Sequence, residues 1–318
     1  DEMIAKIKQA EEFADVIEVR FDCLAKSEFN NEVPELAEPV HVRILNTTDK
    51  TQLLTTFRTK DQGGSRELSE SERANFWGSG CETDWGDFEI DIIRDSLSWL
   101  WFTRICSFHD FSGVPDDLGE VFEKIAETDA TVIKLAITAN DITDSLAVWK
   151  LLERAKTENK QLIPIAMGDA GKWTRILGLA HGAFMTYASL DAGDETAPGQ
   201  VSARDLVKVY RVKELNKDTQ VLGVIGDPVA QSLSPYMHNP AFVDRGLNAV
   251  FLSLLVKDLD EFMRRMVKPE TREVELNFGG FSVTMPHKQA IIPHLDAIDP
   301  TAKAIGAVNT VKFTDGKL

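Results

Sequence analysis

Short, nearly continuous apolar runs recur along the first two thirds of the chain, at 15–20, 52–57, 86–90, 104–108, 131–137, 161–166 and 183–189. Between most of them lie stretches, such as 118–125, 144–155 and 203–215, in which apolar residues return at three- and four-residue steps. The first pattern predicts strands and the second amphipathic helices. Their alternation predicts a parallel sheet covered by helices. Seven strands are one short of a closed (β/α)8 TIM barrel. A helical pattern at 3–13 precedes the first of them, so this reading places the missing strand ahead of residue 1. The polar turn Asn216-Lys-Asp-Thr then interrupts the chain, and the alternation restarts on a smaller scale. Strands are expected at 221–225, 249–255, 280–283 and 307–313, with helices at 235–244, 259–266 and 288–295. The expected architecture is an α/β barrel over 1–215 followed by a smaller α/β domain over 216–318.

Charge sharpens that division. The 318 residues carry a net charge of −16, but 1–215 hold 24 basic against 39 acidic side chains, whereas 216–318 hold 11 against 12. Such an excess of acid argues against nucleic acid and anionic membrane as partners. No apolar run approaches the ~20 residues that span a bilayer. Three cysteines, Cys23, Cys81 and Cys106, show no C-x-x-C spacing, which argues against a disulfide scaffold or a zinc site and for a reducing, cytoplasmic setting. A transit peptide removed ahead of residue 1 is left open. Residues 1–318 contain neither a G-x-G-x-x-G following a strand nor a G-x-x-x-x-G-K-[ST] loop.

Barrel enzymes work at the C-terminal ends of their strands. Lys134 stands there within an otherwise apolar run, where burial would favour a neutral, nucleophilic amine. His109 ends the preceding strand. Each alone has a plainer reading, a snorkelling lysine or a hydrogen-bonded core histidine. Together they suit a Schiff-base enzyme with a proton shuttle. Arg20, Arg58 and Arg175 at strand ends or in the following loops suit a small anionic carbonyl compound. The alternative is that each arginine pairs with a local acid such as Glu18 or Asp22.

Five stretches carry a family resemblance: Asp15-Val-Ile-Glu-Val-Arg-Phe-Asp, Thr56-Phe-Arg-Thr-Lys with Gly63-Gly64, Ser107-Phe-His-Asp-Phe, Val132-Ile-Lys-Leu-Ala and Ala197-Pro-Gly-Gln. In this order they resemble type I 3-dehydroquinate dehydratase over nearly all of 1–215. The resemblance implies a cofactor-free dehydration in which Lys134 forms an imine with the substrate ketone. His109 would remove the C2 proton and then protonate the departing C1 hydroxyl. Glu18, Arg20, Arg58, Arg175, Thr196 and Gln200 would surround the substrate. Many members of the family carry Glu where this chain has Gln62, and Ser where it has Thr196.

Residues 216–318 resemble the substrate-binding domain of shikimate dehydrogenase. The resemblance rests on Gly223-Val-Ile-Gly-Asp-Pro-Val, Gln231-Ser-Leu-Ser-Pro-Tyr-Met-His-Asn, Ser282-Val-Thr-Met-Pro-His-Lys and Ile305-Gly-Ala-Val-Asn-Thr. It implies that Ser232, Ser234, Thr284 and Asn309 bind shikimate and that Lys288 is the acid/base at the hydroxyl being oxidised. NADP would bind a further domain beyond residue 318. The expectation is a fused dehydratase and dehydrogenase of the shikimate pathway acting on small molecules, with no metal and an open oligomeric state. A quinate- or shikimate-sensing regulator built from the same domains is the alternative.

Overall fold

The computed structural model describes residues 2–24, 43–44, 46–48, 50–78, 83–94 and 103–318. Six strands form the first sheet in simple sequential order: β1 Val16–Arg20, β2 Gln52–Thr56, β3 Trp85–Glu89, β4 Thr103–Asp110, β5 Val132–Thr138 and β6 Gln161–Met167. The pairs from β1 to β4 are parallel. This is the α/β, barrel-like architecture expected of 1–215. β5 is buried along nearly its whole length, as a parallel strand covered on both faces must be. That explains why its sequence is apolar apart from Lys134 and Thr138.

The expected seventh strand, 183–189, does not form. Gly182, with φ 96°, turns the chain at its start. The carbonyl of Tyr187 accepts from Arg175, and Thr186 donates its hydroxyl to the Arg175 carbonyl. Ser189 donates its N–H to Val201 and accepts from Ala203. The segment therefore closes on its own return loop, and its apolar run meets no sheet edge. The helix expected at 203–215 stops at Lys208, because Arg211 turns the chain with φ 52°. The helix expected at 288–295 is divided at Pro293 into His287–Ala290 and a 3-10 turn, Ile292–His294. Proline lacks the N–H that a continuous helix needs.

Among the described residues four helices were not expected from the pattern: Glu70–Gly78, Ile90–Arg94, Lys172–Leu177 and Pro300–Ile305. Glu70–Gly78 begins with a reciprocal cap: Ser69 Oγ accepts from Glu72 N–H and the Glu72 carboxylate accepts from Ser69 N–H. The helix seats Phe76 against Phe57, with ring centres 4.2 Å apart, and Trp77 against Phe88, 4.0 Å apart. Aromatic rings at the ends of β1, β2 and β3 are thus gathered on one helix.

A second sheet, ordered β10-β9-β7-β8, follows. It contains β7 Gln220–Gly226, β8 Ala249–Leu255, β9 Phe278–Val283 and β10 Thr310–Lys312. β7 pairs in parallel with β8 and β9, and β10 lies antiparallel to β9. By compactness the chain forms two units, 1–110 with 115–136 and 155–163, and 111–114 with 137–154 and 164–318. The border passes within β5 and β6, so the later part of the first sheet shares a unit with residues 216–318. Cys23 and Cys106 are free thiols, and Cys81 lies outside the described residues. Among the described residues no helix is long and apolar enough to cross a membrane, and no cluster of His, Cys, Asp and Glu could hold a metal ion.

Replacing Phe76 by Ala empties the centre of the aromatic cluster. It should cost about 3–5 kcal/mol, read as a lower denaturant midpoint. An unchanged midpoint would show that this helix contributes little to the core.

Candidate active site

A continuous ionic chain is buried from the residue pair that follows β2 across β3 and β4 to β5. Lys134 Nζ lies 2.8 Å from Asp87 Oδ2, and Arg58 Nη2 lies 2.7 Å from Asp87 Oδ1. Arg58 Nη1 reaches His109 Nε2 at 2.6 Å, and Arg58 Nη2 donates to Ser107 Oγ at 2.9 Å. Lys134 is 3% exposed and Asp87 2%. Strand geometry explains the convergence. Asp87 and Glu89 are two apart on β3, as Ser107 and His109 are on β4, so each pair shares a face. A guanidinium only donates hydrogen bonds. The ring nitrogen it meets, Nε2, is therefore the acceptor of this contact.

The electrostatics follow from burial and from unequal charge. Burial pushes the Lys134 amine below its ordinary value and nearby Arg58 adds to this, while Asp87 and Glu18 pull the other way without cancelling it. For Asp87, burial favours the neutral acid, but the charges of Arg58 and Lys134 outweigh it and hold the carboxyl at about 2. Two potential cations share one central carboxylate, and the lysine, whose proton is the easier to lose, is the weaker claimant.

The surroundings brace this chain. Thr56 donates to Glu18 at 2.8 Å. Gln62 accepts the backbone N–H of His109 at 3.0 Å and so fixes the end of β4. Gly64 folds so tightly under Arg58 that a Cβ there would overlap the Arg58 carbonyl. Arg20 does not present an open fork: it grips Asp22 at 2.9 and 2.8 Å and the Gly63 carbonyl at 2.9 Å. That is the local-acid pairing the sequence also allowed. Asp87 itself was missed in the sequence. The signal was available, since Asp87 and Glu89 are acids at even spacing inside a strand that sequence pattern already assigned.

The remaining expected residues lie in the second unit. Arg175 is 2% exposed and donates to the Tyr187 carbonyl at 3.3 Å. No carboxylate pairs with it among the described residues, and burial lowers its guanidinium to about 10. Gln200 accepts from Thr196 N–H at 2.7 Å, which joins these two residues in one loop. The loop is pinned to the end of β6 by Gly168 N–H donating to the Pro198 carbonyl, and Gly199, φ 70°, packs where any Cβ would strike the Gly168 backbone.

Ser232, Thr284 and Asn309 sit in the three loops at one end of the second sheet, and Ser234 and Lys288 in the first turns of the helices that two of these loops lead into. Backbone hydrogen bonds knit these loops together. Thr284 N–H donates to Ile225, Asp227 N–H to Met285, Val283 N–H to Asn309 and Val308 N–H to Lys288. Ser232 Oγ accepts from Ser234 N–H at 3.3 Å. Lys288 and Asn309 are exposed. The turn after β7 does not suit a dinucleotide, because Gly226 is closed over by the Thr284 side chain and the Met285 carbonyl. A phosphate cradle needs open backbone amides at that place.

The charge arrangement makes a prediction. Asp87→Asn removes the largest charge that raises the Lys134 pKa, so the lysine titration followed by NMR should move to still lower pH. A move upward would contradict this account. The folded carboxyl titrates near about 2, whereas an unfolded aspartate titrates near ~3.9. The contribution of Asp87 to stability is therefore complete above the upper value and lost as pH falls toward the lower.

Comparison with known proteins gives the same picture for the chain as a whole. Residues 1–217 match the family model for type I 3-dehydroquinase, and residues 224–311 match that for the shikimate dehydrogenase substrate binding domain. The bifunctional 3-dehydroquinate dehydratase/shikimate dehydrogenase, chloroplastic, of Arabidopsis thaliana is 34% identical over 331 residues, covering 100% of this chain and 52% of that protein. The chain thus spans about half the length of the curated relative it matches. The structure of dehydroquinate dehydratase and shikimate dehydrogenase from S. pombe AroM is 27% identical, with a TM-score of 0.52 over 96% of this chain and 60% of that one. The 3-dehydroquinate dehydratase of Geobacillus kaustophilus, 24% identical, shares the fold, with a TM-score of 0.56 over 65% of this chain and 83% of its own. With a match that extends from residue 1 to residue 217 of 318, the chain belongs to the type I 3-dehydroquinase family.

Proposed function

We propose that residues 1–215 dehydrate 3-dehydroquinate to 3-dehydroshikimate through an imine on Lys134, and that 216–318 form the shikimate-binding part of a dehydrogenase. The observation that carries the first half is the buried chain from Lys134 through Asp87 and Arg58 to His109. A desolvated lysine with a lowered pKa is a competent amine nucleophile. Its attack on the ketone forms a C–N bond and expels one water as the imine forms. The imine draws electrons from C2, so a neutral imidazole can take the C2 proton. The resulting enamine expels the C1 hydroxyl, which receives that proton and leaves as water. Hydrolysis of the imine consumes one water and returns the amine, so the net change is the loss of one water.

In this mechanism Arg58 donates to His109 Nε2 before substrate arrives and then turns to the substrate's oxygens. Arg175, buried without a carboxylate partner among the described residues, suits the substrate carboxylate. Thr196 and Gln200 suit its hydroxyls. Glu18 and Arg20 brace the mouth, Arg20 through its clasp on Asp22 and Gly63. Gln62 supplies position in place of the charge that a Glu would bring.

In the second domain Ser232 and Ser234 lie where a helix starts, Thr284 and Asn309 on neighbouring loops, and Lys288 is free to act as acid/base at a hydroxyl. Oxidation at that hydroxyl needs NADP as hydride acceptor. The described residues of 216–318 offer its phosphates no cradle, so they account for holding the substrate and not for the hydride step. The substrates are small molecules. A sensing regulator gains no support from the matched families or from the relatives named above.

Borohydride added to the chain with 3-dehydroquinate should leave a covalent adduct on Lys134, and Lys134→Ala should lose both adduct and turnover. An adduct mapped to another lysine would overturn the assignment. His109→Ala should slow dehydration by ~10²–10⁴-fold while imine formation continues. Near-full activity would require a different base. Calorimetry should detect shikimate binding, weakened about fivefold by Ser234→Ala, the effect of one hydrogen bond. Binding unaffected by that change would place the ligand elsewhere.

A further inference from the structure

The loop that presents Lys288 is tied to the loop after β5 by a short relay of hydrogen bonds, all within one compact unit. Lys288 follows His287, whose ring is buried and whose Nε2 lies 2.6 Å from the carbonyl of Val256. Val256 is the residue immediately after β8. Its own N–H donates to the Gly226 carbonyl at 3.1 Å, at the start of the loop that leads to Ser232. Val256 therefore holds one candidate loop by its N–H and the other by its carbonyl. The next two N–H groups, of Lys257 and Asp258, both point at one oxygen of Asp141, at 2.7 and 3.3 Å.

Asp141 belongs to the loop after β5, far away in sequence. Its other oxygen caps its own turn, accepting from Thr143 N–H at 2.9 Å and from the Thr143 hydroxyl at 2.7 Å. Asp144 closes the same turn reciprocally by accepting Asp141 N–H at 3.0 Å. The carboxylate is thus rigid, with one oxygen spent locally and one aimed at the chain that follows β8.

We propose that Asp141 is a positioning residue of the second site: by fixing the chain at 257–258 it sets Val256, and through Val256 the two loops that carry Ser232 and Lys288. This rests on the reading of that site as shikimate-binding. A second tie between the same regions, Glu273 with Lys150 and Arg265 at 2.5 and 2.7 Å, has no such connection to the loops. It serves as the internal comparison.

Asp141→Asn separates the two duties. Asparagine remains a good cap for the local turn, but its amide nitrogen cannot accept from Lys257 or Asp258. Hydrogen exchange of the whole chain should show faster exchange at 256–258 and 284–290 in Asp141→Asn, with β1 to β4 unchanged, and no such change in Glu273→Ala. Shikimate affinity by calorimetry should fall about fivefold in Asp141→Asn and stay at the wild-type value in Glu273→Ala. Wild-type exchange at 284–290 in Asp141→Asn, or equal loosening by both variants, would overturn the proposal. If the wild-type chain fails to bind shikimate, the functional reading falls, while the exchange pattern still decides the role of Asp141.

Discussion

Everything at the candidate dehydratase site depends on one buried carboxylate serving two cations. Asp87 meets both Arg58 and Lys134, and its charge offsets part of the cost of taking them out of water. A carboxylate that balances one charge in full leaves the other short. Guanidinium holds its proton far more firmly than ammonium, so the deficit falls on Lys134, where a neutral amine is useful. The carboxylate keeps the lysine in place and leaves its deprotonation to burial.

The histidine is governed by the same chain at one remove. Arg58, anchored on Asp87, turns a donor toward the ring of His109, and a donor there excludes a proton on that nitrogen. The side-chain amide of Gln62 takes the backbone N–H of His109. The division of labour is physically coherent: Gln62 holds the backbone where β4 ends, and Arg58 meets the ring. Tight glycine turns make this possible, because Gly64 lets the chain pass directly beneath the Arg58 carbonyl.

The legible parts of the fold were those with a strong period or a strong punctuation mark. Six first-sheet strands and the polar turn at 216–219 could be read directly, and Lys134 stood out because a charge inside a buried run needs a reason. Asp87 did not stand out, because acids alternating along a strand resemble a solvated face. Only the sheet order reveals that this face points inward. The run at 183–189 misled for the opposite reason: its residues suit a strand, but hydrogen bonds to Arg175 and to its own return loop claim its backbone. The helix at 70–78 escaped because its apolar residues do not form a stripe, although Ser69 and Glu72 announced its start.

The overall charge of −16 opposes the approach of anionic substrates, yet the conflict is a matter of range. Exposed charges are screened beyond ~8 Å at physiological ionic strength, so most of the acidic surface acts weakly on a small ligand already within a site. Buried groups are screened far less. Arg175, with no carboxylate paired to it among the described residues, acts at short range and in a low dielectric. The acidic exterior therefore disfavours large polyanions, while a buried guanidinium acts only over short distances.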